Sequence, residues 1–199
     1  MRRYRLLAAA LLLAGCSDSG PLLDAPRAPA APTATLFCHY GVSESIYTNV
    51  PPPSTTIDAT GEVGTHFIPQ VDGKVLALKF YKATGETGTH TARLWTGSGT
   101  LLASATFGTE TSSGWQTVTI LGGNVSANGS YVVSVNNNTR HAKTFGVFTA
   151  GSIYSSPNGN LEADYSLWDP TLGAIPTTGS SSGFYVDVVF RPRICEETP

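Results

Sequence analysis

Apolar and polar residues alternate with a period of two along much of the chain. The alternation is regular over residues 76–81, 92–95, 101–107, 115–120, 131–135 and 185–190. Successive side chains of a strand point to opposite faces, so each of these segments is predicted to be a half-buried β-strand. The same segments lack the 3.6-residue period of an amphipathic helix.

Turn-forming residues separate the predicted strands at Gly85, Gly88, Gly97-Ser98-Gly99, Ser113-Gly114, Gly122-Gly123 and Asn128-Gly129. Strands joined by short turns predict the all-β class, as an antiparallel β-sandwich or jelly roll. Asn128-Gly129 predicts a tight hairpin, because both residues tolerate positive φ. The prolines at 51–53 and the stretch 151–183 fit no short hairpin. We predict long loops there that take part in any ligand site.

The N-terminus has the pattern of an export signal. Three arginines within the first five residues precede an apolar segment over 6–14, which is too short to cross roughly 30 Å of hydrocarbon. The run Leu13-Ala14-Gly15-Cys16 resembles the bacterial lipobox. The resemblance implies that Cys16 carries a diacylglycerol and that the membrane is a partner. Ser17 differs from the aspartate that retains such lipoproteins at the inner membrane, which favours the outer membrane or the cell surface.

This pattern divides the chain into a signal peptide over 1–15, a Pro/Ala-rich tether over 16–35 and one β-domain over 36–199. Without residues 1–15 the chain has 9 basic and 14 acidic residues, a net charge of −5. No run of Lys or Arg remains, which argues against nucleic acid as a partner.

Two cysteines, Cys38 and Cys195, remain beside Cys16 and lie near the ends of the predicted domain. In an oxidising compartment they are predicted to form a disulfide, which requires the first and last strands to be neighbours. Two buried free thiols are the alternative.

Short motifs follow one another in order between about residue 61 and residue 190: Phe80-Tyr81-Lys82, Thr87-Gly88-Thr89-His90, Leu94-Trp95, Gly99-Thr100-Leu101-Leu102-Ala103, Ser113-Gly114-Trp115-Gln116 and Tyr185-Val186-Asp187-Val188-Val189-Phe190. Together they resemble the domain-of-unknown-function 4082 family of bacterial extracellular modules. The segment 140–183 matches poorly. The resemblance implies an all-β sandwich that occurs beside adhesive or carbohydrate-active modules, and it implies no established activity.

Aromatic side chains are the candidate ligand-binding residues. The flat faces of Trp168, Tyr165, Trp95 and Trp115 are suited to stacking on sugar rings. Trp168 is favoured, since it falls in the predicted long loop, where strand pairing does not require it. The alternative for Trp95 and Trp115 is a structural role, in which they pack under loops or between sheets.

Asp187 lies within the most apolar predicted strand, where a carboxylate must be paired, hydrogen-bonded or bound to metal. Three partners fit the pattern: His90, Arg93, or a calcium ion shared with Glu62 and completed by Asp58 or a backbone carbonyl, by analogy with jelly-roll binding modules. No other cofactor is predicted. The alternative leaves Asp187 in solvent on an exposed face of the sheet.

Catalytic and zinc motifs are missing from the sequence. The histidines at 39, 66, 90 and 141 have no metal-ligand spacing, and His90 is expected to bond a loop carbonyl. The chain has no G-x-S-x-G motif and no cysteine available as a nucleophile. A pair of carboxylates for glycoside cleavage, drawn from the glutamates at 62, 86, 110 and 162, remains an alternative that the sequence does not exclude.

These observations predict a lipid-anchored envelope protein with a non-catalytic module that binds a surface glycan, peptidoglycan or a partner protein. The alternative is a structural lipoprotein that packs against an envelope protein without binding a small ligand. An enzyme is a distant third, given the missing motifs.

Overall fold

Thirteen β-strands and one short 3-10 helix form from residues 35–49, 53–149 and 152–198, the part of the chain that the computed structural model describes. In chain order the strands are β1 Thr35–Tyr40, β2 Thr55–Ile57, β3 Gly61–Pro69, β4 Gly73–Lys82, β5 Thr91–Thr96, β6 Leu101–Thr106, β7 Gly114–Val125, β8 Tyr131–Asn137, β9 His141–Lys143, β10 Tyr154–Ser155, β11 Leu161–Asp169, β12 Thr178–Ser180 and β13 Val186–Thr198. The 3-10 helix spans Ile46–Asn49, between β1 and β2.

The strands form two main antiparallel sheets. The smaller sheet has the order β1-β13-β4-β7, and the larger has the order β10-β11-β3-β8-β5-β6 with β12 paired to β11. Strands β2 and β9 make a separate two-stranded ribbon. This arrangement confirms the all-β class and the antiparallel sandwich.

One hydrophobic core lies between the two sheets. Phe67 of β3 and Leu94 of β5 meet Leu78 of β4 and Phe190 of β13 in it, and all four side chains are fully buried. Burial of an apolar side chain of this size contributes about 1.5–3 kcal/mol. The six segments with regular alternation all coincide with strands, as predicted, but β8 is buried along its whole length and is not half-buried.

Cys38 and Cys195 form a disulfide, as predicted. The two residues lie opposite each other in the register of β1 and β13, with their Cα atoms 4.0 Å apart. The first and last strands are therefore neighbours. The predicted signal peptide 1–15, the lipidation site Cys16 and the tether up to residue 34 lie outside the described residues, while Thr35 already belongs to β1.

The turn at Asn128-Gly129 connects the two sheets and does not close a hairpin. Asn128 has a φ of 59°, as the sequence suggests. However, β7 before the turn pairs with β4, and β8 after it pairs with β3 and β5. The prediction of a tight hairpin was therefore wrong.

The predicted long loop over 151–183 contains three strands, and β11 pairs with β3 along most of its length. That prediction was wrong because a β-bulge between Ala163 and Tyr165 interrupts the alternation. Strand β3 was missed for a related reason, since Glu62 and His66 are buried within it among apolar residues.

No helix among the described residues is long and apolar enough to cross a membrane.

Candidate functional site

A groove of about 370 Å³ opens beside Trp168, between the β2–β9 ribbon and the end of the larger sheet. Trp168, Phe184 and Ile57 give it aromatic and aliphatic walls, while His141, Lys143 and Thr178 add polar groups. It is the candidate ligand site, because an apolar cleft with a few convergent polar groups is the usual form of a small-molecule site.

Trp168 lies in strand β11, where it is opposite Val63 of β3 and Thr178 of β12. Its placement in a loop, as predicted from the sequence, was wrong. The indole is partly buried and packs against the main core. It lies against the backbone of Gly61, where an added Cβ would be 2.7 Å from the indole Nε1. The glycine thus lets the tryptophan ring approach β3 closely.

His141 is one of the residues that line the groove. The residue is 4% exposed, and Nδ1 has no hydrogen-bond partner among the described residues. Burial lowers the pKa of His141, although a hydrogen bond to the Ala59 backbone opposes the shift. The ring is therefore neutral near pH 7.

The other predicted aromatic ligands lie apart from this groove. Tyr165, three residues before Trp168, faces the opposite side of β11, where it stacks on His66 beside a second groove. Trp95 is 7% exposed and donates its indole N–H to Ser134, so a ligand-stacking role for it is wrong. Trp115 is 38% exposed, but the Lys79 ammonium lies 4.5 Å from its ring centroid and covers one face.

Glu62 is fully buried within β3, and both oxygens of its carboxylate have hydrogen-bond partners. Its carboxylate pairs with Arg93 at 3.0 Å and accepts hydrogen bonds from Ser134 and from the backbone N–H of Gly173. Burial raises the pKa of Glu62, and these bonds oppose the rise. The residue therefore ties the segment around Gly173 to the sheet.

Asp187 has a different set of partners from those predicted. Its fully buried carboxylate pairs with Lys79 at 3.4 Å and accepts the backbone N–H groups of Ile46 and Tyr47, at the start of the 3-10 helix, and of Val188. Burial raises the pKa of Asp187 in spite of these bonds.

His90, Arg93 and solvent were thus wrong as partners of Asp187, because residues 44–47 cover this face of β13.

A calcium site shared by Glu62 and Asp187 does not fit this structure. The two residues belong to different sheets, and each carboxylate is already saturated by a cation and backbone donors. Asp58 is bound elsewhere, to Arg140. Among the described residues no three His, Cys, Asp or Glu side chains come together as a metal site.

Glu86 and Glu110 do come together, on the two ring nitrogens of His90, each at 2.9 Å. The expected bond from His90 to a loop carbonyl was wrong. Lys82 lies 2.8 Å from Glu110, and the His90 ring is fully buried. These carboxylates hold strand ends together, and neither lines the Trp168 groove.

Sequence reasoning missed His141, Lys143 and Phe184, which complete the groove. His141 and Lys143 do show the period of two that marks one face of a short strand. Three residues are too few to distinguish this signal from chance, and the partner strand β2 lies far away in the sequence.

The fold and groove define the chain as a β-sandwich module with a small aromatic-walled cleft at its edge. The chain belongs to the family described as "Domain of unknown function (DUF4082)", which matches residues 48–186, well over half of its length. This confirms the resemblance found in the sequence motifs. None of the curated proteins matches the chain.

Proposed function

We propose that the protein is a lipid-anchored component of the bacterial cell envelope whose sandwich domain binds carbohydrate, without catalysis, in the groove beside Trp168. The observation that carries this proposal is the cleft itself, in which an aromatic wall at Trp168 lies beside the polar side chains of Lys143 and Thr178.

The remaining groove residues suit a sugar ring. Trp168 offers apolar surface to the C–H face of a sugar, while Lys143 and Thr178 line the same groove as donors. The chain after residue 15 has a net charge of −5, which favours a neutral glycan over an anionic one.

A glycan array with the full-length protein tests this proposal. We expect a glycan that binds the wild type, binds Lys143→Ala more weakly and does not bind Trp168→Ala. Trp115→Ala is the matched control, because Trp115 is also partly exposed but lies outside the groove. Equal binding by all variants, or no binding by the wild type, would remove carbohydrate as the ligand. Thermal melts show whether each variant is folded.

The anchor is proposed from the lipobox at Cys16. A lipobox cysteine carries more than one acyl chain, and each buried methylene contributes about 0.8 kcal/mol, so attachment is stable where a single chain is marginal. We expect Cys16→Ser to yield unprocessed protein that leaves the membrane fraction. Retention of this variant in the membrane contradicts the lipid anchor.

A second candidate function is structural, namely packing against another envelope protein. It is favoured by exposed apolar residues on β1, where Leu36 is 61% exposed, Phe37 is 60% exposed and Tyr40 is 50% exposed. A photo-crosslinking residue at position 37 should then capture one specific envelope protein. A crosslinker at Val42, which is 78% exposed beyond β1, should not. Equal capture at both positions contradicts a defined interface.

A further inference from the structure

His66 connects a serine to an aspartate with the geometry of a hydrolase triad. Its Nδ1 lies 2.6 Å from an oxygen of Asp164, and its Nε2 lies 2.8 Å from the hydroxyl of Ser130. An ionised carboxylate can only accept, so Nδ1 carries the proton. In the neutral ring Nε2 then accepts the Ser130 O–H. This is the order in which a general base activates a serine.

The fold brings these residues together from three distant segments. His66 is a buried residue in the middle of β3, and Ser130 is an exposed residue directly before β8. Asp164 is the extra residue of the bulge in β11, which turns its side chain towards β3. The Tyr165 ring stacks on His66 at 4.5 Å between centroids and holds the imidazole plane.

A second groove, of about 320 Å³, opens at this triad. Ser130, His66 and Tyr165 line it together with the apolar side chains of Val132 and Leu167. Gly97 also lines the groove, and an added Cβ there would collide with Ser130 Oγ. The glycine therefore leaves room for the hydroxyl, and the apolar wall is suited to a short acyl group.

We propose that Ser130 is a nucleophile that accepts the acyl group of short-chain carboxylic esters, a reaction that goes beyond the binding function proposed above. Ser130 Oγ forms a bond to the ester carbonyl carbon while its proton passes to His66 Nε2. The bond to the leaving alkoxide breaks, and His66 returns the proton to it as the alcohol departs. Water then attacks the acyl-serine by the same proton route, which releases the carboxylic acid and restores the hydroxyl.

Hydrolysis at this site is expected to be slow. The backbone N–H groups of Gly97 and Gly99 donate to the carbonyls of Ser130 and Thr96, so neither serves the developing oxyanion. Loss of one oxyanion donor typically reduces turnover about 10²–10³-fold. The Asp164 side chain is also 40% exposed, which weakens its hold on the imidazole. A covalent adduct is therefore a better readout than turnover.

The test is labelling of the full-length, detergent-extracted protein with a fluorophosphonate probe, followed by intact mass and peptide mapping. We expect one adduct, on Ser130, and none in Ser130→Ala. General-base catalysis typically contributes about 10²–10⁴-fold, so His66→Gln should label about 100-fold more slowly. A burst of nitrophenolate from p-nitrophenyl acetate, equal to the protein concentration, should accompany labelling in the wild type.

Matched variants separate chemistry from folding. Ser98→Ala removes another serine that lines the same groove and should label like the wild type. Asp164 acts as a positioning residue, so Asp164→Asn should slow labelling without a change in melting temperature, and Asp164→Glu should restore part of the rate. Lys143→Ala, in the carbohydrate groove, should leave labelling unchanged.

The absence of an adduct in the wild type, or equal labelling of Ser130→Ala, would overturn the proposal that Ser130 is a nucleophile. Neither result would affect the proposal that the Trp168 groove binds carbohydrate.

Discussion

His90 Nε2 lies 2.9 Å from a carboxylate oxygen of Glu86, and both side chains are completely buried. Because Glu110 binds the other ring nitrogen and Lys82 binds Glu110, charges of alternating sign form a chain through this part of the domain. Burial opposes ionisation of Glu86. Hydrogen bonds from His90, Thr139 and nearby backbone N–H groups outweigh it and lower the pKa of Glu86 to about 2.

The domain should therefore lose stability in acid. A carboxyl with a lowered pKa contributes stability that is complete above pH 4.5 and disappears as the pH falls to about 2. For Glu86 the contribution is on the order of 3 kcal/mol. Urea unfolding between these pH values should show this slope in the wild type and a flatter one in Glu86→Gln. Added salt should change the difference little, because the pair is buried. If the stability of the wild type and of Glu86→Gln depends on pH in the same way, the ion pair between Glu86 and His90 is contradicted.

Alkaline pH should weaken the same cluster. Burial favours the neutral ring, but bonds to Glu86 and Glu110 outweigh it and raise the pKa of His90 above 6.5. The stability contributed by the imidazolium is complete below pH 6.5 and falls as the pH rises through the raised value. NMR titration of the His90 ring should give a pKa above 6.5, and Glu110→Gln should lower it. A midpoint at or below 6.5 would contradict the raised pKa of His90.

Asp187→Asn should destabilise the domain by about 2–3 kcal/mol. One carboxylate oxygen accepts from Ile46 and Val188, and the other accepts from Tyr47 and Lys79. The amide group of asparagine would face two donors whichever way it turned, and a buried donor without an acceptor costs about 1–3 kcal/mol. Chemical denaturation measures the loss. Asp169→Asn, at a partly exposed carboxyl, should cost less. Equal losses would show that burial of Asp187 is unimportant.

Glu62→Gln should loosen the segment around Gly173. Glu62 accepts the Gly173 N–H at 2.9 Å while Arg93 neutralises the charge of Glu62. Loss of that charge leaves Arg93, whose side chain is 17% exposed, without its counter-ion. Hydrogen exchange at Gly173 should become faster than in the wild type, while Leu94 of β5 should keep its protection. Unchanged exchange at Gly173 argues against the carboxylate as its tether.

Reduction of the Cys38–Cys195 disulfide should lower the free energy of unfolding by about 3–5 kcal/mol, because the bond closes most of the domain into one loop. Cys38→Ser, Cys195→Ser and the double variant should all unfold at the same lower denaturant concentration. Reductant should move the wild type to that midpoint and leave the variants unchanged. If reductant does not change the denaturant midpoint of the wild type, the disulfide is contradicted.

The sequence was sufficient for the fold class, the disulfide and the strands that alternate regularly, because period two and an even cysteine pair are local or compositional signals. It failed for β11, where the bulge at Asp164 shifts the period, and for β3, where Glu62 is buried with its partners. The partner of Asp187 was out of reach too. Ile46 lies 141 residues away in sequence, and no local pattern reports which segment covers a sheet.

The position of the disulfide determines how the domain would bear mechanical load. A pull on the chain before Thr35 reaches the covalent bond at Cys38 before it can peel away the rest of β1. The force then passes into β13, whose residues 186–192 pair with β4. Rupture then requires separation of β13 from β4, so the domain should resist tension from its N-terminal side even though β1 is an edge strand.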